Sequence, residues 1–165
     1  MKNVTLLVFF AALGGLAFWL WIILFPSPEK AVLKKIASLA ATATFRVDDS
    51  NLTRAAKAGN LVSLFAADAQ IILDAPGQGA RTLAGSDEIH AAALGGFASL
   101  PQLKVQFLDV TVRIAADQQT ADATCTAKVN AGDSKDFGVQ EMHFQLKKVD
   151  GNWLITRAET VKTLS

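Results

Sequence analysis

Tyrosine is absent from these 165 residues, cysteine occurs once and histidine twice. Without tyrosine there is no phenol to donate a proton or to hold an oxyanion. The single thiol, Cys125, excludes an intrachain disulfide and any zinc site built on two or more thiolates. A surplus of charge is missing too: 16 Lys and Arg stand against 15 Asp and Glu. No basic run interleaved with aromatics is there to neutralise phosphates, so nucleic acid is not an expected partner. The glycines spell neither G-x-x-x-x-G-K-S/T nor G-x-G-x-x-G, and no serine stands in G-x-S-x-G. Nucleotide chemistry and the hydrolase elbow are therefore unsupported, and no cofactor is expected.

What the chain does have is one long apolar run. Val4 to Phe25 holds 22 residues without a charge, which at about 1.5 Å per residue is long enough for a hydrocarbon core of about 30 Å. Trp19 and Trp21 lie toward its end, where indole rings favour the headgroup level, and Pro26 and Pro28 follow it. A cleaved signal peptide has a shorter apolar core and a small-residue cleavage site, so the run reads as an uncleaved membrane anchor. Residues 1–26 are thus expected to be an anchor and 27–165 a single folded domain. Counting Lys30, Lys34 and Lys35 after the span favours a cytoplasmic domain. A short tail before a first apolar segment behaves instead as a signal anchor. The resulting expectation is a single-pass protein of a bacterial inner membrane with its domain exported.

Past the prolines the chain turns amphipathic. Leu33, Ile36, Ala40 and Ala43 recur at helical spacing between Glu29 and Thr44, and a second helix starts near Asn51 with Leu52, Ala55, Ala56, Leu61, Leu64 and Phe65. Ala69 to Leu73 reads as a short strand, followed by a turn at Asp74-Ala75-Pro76-Gly77. Ser86 reads as the cap of a third helix carrying Ile89, Ala93 and Phe97 inward, which stops near Leu100-Pro101.

From Leu103 the period becomes two. Leu103, Val105 and Phe107 alternate in one phase, and Leu108, Val110, Val112 and Ile114 in the other, so a continuous strand needs a bulge near Phe107-Leu108. Ala121, Ala123, Cys125, Ala127 and Val129 alternate with polar residues, which buries Cys125. A strand from Phe137 to Val149 changes phase between Val139 and Met142, and Asp150-Gly151 turns into a last strand from Trp153 to Lys162. The expected class is α+β, three helices packed on a curved antiparallel sheet.

This order resembles the nuclear transport factor 2-like superfamily, which includes ketosteroid isomerase and the SnoaL-like cyclases. The stretches carrying the resemblance are Asn60 to Ala69, Leu83 to Ile89 and Asp150 to Ile155. It implies a cone-shaped fold over residues 29–162 and a pocket between sheet and helices, in which enzymes of the superfamily place an Asp or His base. It also implies a homodimer through the outer face of the sheet. The isomerase-type pocket uses a Tyr, which this chain lacks.

Three residues are candidates for such a pocket. Asp74 closes the first strand, at a position open to a general base or to a turn-forming carboxylate. Arg157 and Glu159 share the face of Trp153 and Ile155 if the last strand is regular, and either line a cavity or form a cross-strand ion pair. Glu141, His143 and Gln145 share the opposite face from Met142, Phe144 and Leu146, where a solvated or partner-facing surface is expected. Two ligands from one strand make no metal site without a third, so no metal is expected. The leading expectation is a membrane-anchored, non-catalytic ligand-binding or protein-interaction module. The alternative is a cofactor-independent SnoaL-like isomerase, cyclase or hydrolase acting on a small apolar substrate.

Overall fold

The structure, a computed structural model, describes residues 14–15, 27–75, 79–132 and 138–161. Among these no helix is long and apolar enough to cross a membrane. The expected anchor lies outside the described residues, apart from Gly14 and Gly15, which are helical and exposed.

Three helices and six strands follow in the order α1 (Pro28–Ala43), α2 (Asn51–Val62), β1 (Phe65–Ala75), β2 (Gly79–Ala84), α3 (Gly85–Ser99), β3 (Leu103–Ile114), β4 (Thr120–Ala131), β5 (Gly138–Val149) and β6 (Asn152–Val161). They build one sheet in the order β2-β1-β6-β5-β4-β3. The sheet is mixed, not antiparallel throughout as expected: β1 runs parallel to β6, with Phe65 opposite Ile155 and Ile72 opposite Glu159. Partners so far apart in the chain leave no local pattern by which to read their direction.

α1 begins where Ser27 accepts a hydrogen bond from the Lys30 N–H, with Pro28 in the first turn, a position that needs no amide hydrogen. It buries Val32, Ile36 and Leu39. Leu33, expected inside, is 39% exposed. At the other end Thr44 Oγ1 donates to the Ala40 carbonyl and accepts from the Val105 N–H, which ties the helix to β3. α2 starts at Asn51 behind the Ser50 cap, but Leu52 is 81% exposed and Ala58 is its buried residue. The cap of α3 is also not as expected. Ala84 occupies that position with no side-chain cap, and Glu88 reaches back to accept from its N–H at 2.8 Å. The contact resembles the returning half of a capping box but comes from one residue later, four past the cap.

Arg54 joins α2 to the loop before it and to the end of α3. Its guanidinium donates to the carbonyls of Arg46, Asp49, Phe97, Leu100 and Pro101, and lies 4.7 Å from the centre of the Phe45 ring. Phe45 in turn packs on Phe97. A planar group with five donors is the one side chain able to close so many loop carbonyls at once.

The β3 bulge falls one residue beyond its expected place, between Leu108 and Thr111, with Asp109 at a φ of 53°. β5 shows no phase change between Val139 and Met142. Its pairing with β4 is unbroken from Gly138 to Lys147, and Val139 is simply an exposed residue. The irregularity sits on β6 instead, where Leu146 pairs with Ile155 but Gln145 pairs with Arg157, leaving Thr156 as the extra residue. Asp150 and Gly151 both take positive φ, 49° and 80°, as a two-residue hairpin turn requires.

Candidate functional site

The helix-covered face of the sheet carries the core. Cys125, Phe144, Leu146, Trp153, Ile155 and Ala158 bury against Val32, Ile36, Leu39 and Ile89, and Phe107 meets the Phe144 ring edge-on at 5.5 Å. Complete burial of each such large side chain stabilises the fold by roughly 1.5–3 kcal/mol. Among the described residues none that is polar or charged is buried. Among the described residues, the place where the resemblance implies a pocket is lined by apolar side chains. Burial there pushes the Cys125 thiol up to about 11, which disfavours the thiolate at neutral pH.

The ionisable groups gather on the other, open face. Thr156 is the reason that Arg157 and Glu159 are among them. One extra residue inverts the alternation of β6, so Trp153 and Ile155 face the helices while Arg157 and Glu159 face outward. The expectation that these four share a face required a regular strand, which β6 is not. Arg157 Nε donates to Glu159 Oε2 at 2.8 Å, an ion pair along one strand and not across two. Across the pair, His143 Nδ1 lies 3.1 Å from Glu159 Oε1, and His143 Nε2 lies 3.0 Å from Asp122 Oδ1. Arg113 pairs with Asp122 across β3 and β4. The open face therefore carries a row, Arg113, Asp122, His143, Glu159 and Arg157, that alternates in sign over four strands.

Both ring nitrogens of His143 thus lie within hydrogen-bond distance of a carboxylate, one on each side. Glu159 is held below the ordinary carboxyl range, first by His143 and then by Arg157. The ring is flanked by Asp122 and Glu159, which fix its orientation on the sheet. No group of three or more His, Cys, Asp or Glu able to hold a metal occurs among the described residues. The open face is a charged, partly exposed surface. Two shallow depressions open on it, one of about 330 Å³ lined by Thr111, Arg113, Asp122, Thr124 and His143, the other of about 350 Å³ beside Asp109, Thr126 and Glu141.

Glu141 and Gln145 stand two residues either side of His143 on the same face, both exposed. Asp74 lies near the end of β1, two residues beyond Ile72, the partner of Glu159, and alternation puts it on the open face as well. Its N–H donates to Thr160 Oγ1 at 2.8 Å. The structure thus joins Glu159, Arg157 and His143 and sets Asp74 apart at the strand end. Asp122 and Arg113 were not singled out by sequence reasoning. The alternation of β4 marks Asp122 as outward; the strand register sets it opposite Gln145, from where its carboxylate reaches diagonally to His143.

The SnoaL-like domain model matches residues 34–159. No curated protein sequence matches the chain. Among solved structures, a protein of the nuclear transport factor 2-like type with a cystatin-like fold from Novosphingobium aromaticivorans superposes with a TM-score of 0.64 at 21% identity, over 90% of this chain and 88% of that one. A second protein from that organism, provisionally named a scytalone dehydratase, gives 0.61 at 16% identity, over 82% and 84%. A nuclear transport factor 2-like protein of unknown function from Pseudomonas putida gives 0.65 at 12%, over 86% and 90%. At these identities the likeness is one of fold.

Proposed function

The chain belongs to the SnoaL-like domain family, and on that premise we propose that it is a membrane-anchored, non-catalytic binding or protein-interaction module. In this reading residues 4–25 hold it in the bilayer as a single span. The domain meets its partner, another protein or a second copy, through the open face around Glu141, His143 and Gln145. The observation that carries the non-catalytic reading is the placement of charge. The face turned to the helices is apolar and holds no buried polar or charged residue among the described residues, whereas the row of charged side chains stands outside. The 22 uncharged residues from Val4 to Phe25 support the anchor.

A cofactor-independent SnoaL-like enzyme is the second reading, favoured by the provisional dehydratase name of one similar structure. It requires a cavity that admits a small apolar substrate. Thermal unfolding with small apolar ring compounds separates the two. A filled interior gives no saturable rise in melting temperature, because nothing binds the native state alone. A saturable rise that an interior substitution such as Ala123→Leu abolishes shows instead that the interior admits a ligand, and turnover of that ligand by the wild type alone is then the result that establishes the enzyme reading.

A further inference from the structure

We infer that α1 lies along the bilayer surface and docks on anionic phospholipid headgroups through Lys30, Leu33 and Lys34. This deepens the membrane-anchor reading given above and rests on it. The uncharged run ends at Phe25 and α1 begins at Pro28, so three residues keep the start of the helix within about 10 Å of the end of the span. Ser27 is extended, with φ −55° and ψ 146°. The backbone at Ser27 is thus not helical, and α1 starts at Pro28.

The exposed stripe of α1 has the chemistry of a headgroup contact. At about 100° per residue, Lys30, Leu33, Lys34, Ala37 and Ala41 fall on one side of the helix, opposite Val32, Ile36 and Leu39. All five are exposed and the opposing three are buried. The stripe contains no acidic residue; Glu29 stands to one side of it. Two lysines flank an apolar Leu33 that the domain leaves uncovered, so their ammonium groups reach phosphates while their stems and Leu33 meet the acyl boundary. Each lysine near an anionic surface is worth about fivefold in the docked-to-undocked ratio. Since α1 packs on the helix-covered side of the sheet, docking through this stripe turns the His143 face away from the bilayer. A partner then has free access to it.

The test uses the full chain with Cys125→Ala as background, reconstituted in phosphatidylcholine vesicles with and without phosphatidylglycerol. A fluorophore is placed at Leu33→Cys or, on the open face, at Gln145→Cys, and quenched by acrylamide from the water. Protection of the Leu33 label in phosphatidylglycerol vesicles, with the Gln145 label fully quenched in both, is the expected result. Lys30→Gln with Lys34→Gln is expected to lower the docked-to-undocked ratio roughly 25-fold. If the Leu33 label is quenched as readily as the Gln145 label while the chain stays with the vesicles through a carbonate wash, the docking inference fails and the anchor stands. Release of the chain in that wash overturns both.

Discussion

His143 and Glu159 face each other across β5 and β6, Nδ1 to Oε1 at 3.1 Å, on a strand whose neighbouring Ile155 is fully buried on the other face. One inserted residue, Thr156, makes both statements true at once. It lets β6 contribute core residues in its first half and charged residues outward in its second.

The Glu159 carboxyl is held low by His143 and Arg157, and the consequence for stability has a definite sign. A depressed carboxyl stabilises the fold above its ordinary value of 4.5, and the contribution is lost as pH falls through the lowered value. Glu159→Gln is therefore predicted to cost about 1 kcal/mol at neutral pH, as partly exposed pairs do. Wild type and variant should converge below the carboxyl range. Urea midpoints measured across pH 2.5 to 7, roughly the span over which carboxyls titrate, check it.

Cys125 should behave as a small core residue. Its thiol is predicted to resist a disulfide reagent in the native protein and to react only as fast as the chain unfolds. Because burial raises it from 9.0 to about 11, its stabilising contribution is complete below the lower value and disappears as pH rises toward the upper. Cys125→Ala should remove that alkaline loss at a cost of about 1 kcal/mol. Labelling kinetics and alkaline unfolding curves report the two effects separately.

Arg54 closes five loop carbonyls over the Phe45 ring. Arg54→Ala is predicted to destabilise the domain by about 3 kcal/mol, since charged hydrogen bonds are worth more than neutral ones and the half-buried carbonyls lose their donor. Lysine has a point charge in place of a fork and should recover little of the loss. Chemical denaturation of both variants provides the comparison.

Asp109 holds a left-handed φ of 53° at the β3 bulge. Asp109→Gly is predicted to be close to neutral, while Asp109→Val should cost about 1–2 kcal/mol because a β-branched side chain collides with the backbone there. Melting temperatures of the two variants are the measurement.

Much of this arrangement is legible in the sequence, and the rest is hidden for physical reasons. The alternation of Ala121, Ala123, Cys125 and Ala127 places β4 and its buried face correctly, because a half-wet strand writes its two faces into every second residue. β2 (Gly79–Ala84) escapes notice since an edge strand with one partly buried residue has no apolar pattern to read. Leu33 and Leu52 look like core but are exposed, while Val32 and Ala58 take the inside positions, a shift of one residue or a swap of size that helical periodicity resolves poorly. The face of Arg157 and Glu159 hinges on a single bulge that nothing in Thr156 announces. Asp122 joins the row only through pairing register, which is a property of the folded sheet.

The central claim is that the open face is the working surface and the helix-covered face is core. Photo-crosslinking from the full chain in its native membrane tests it most directly, with a benzophenone side chain placed in turn at Gln145, at Glu141 and at the buried Ile155. The account predicts a discrete protein adduct from Gln145 and Glu141, either to a second copy or to another chain, and none from Ile155. Silence at both outer positions together with capture of a small molecule at Ile155 would contradict it.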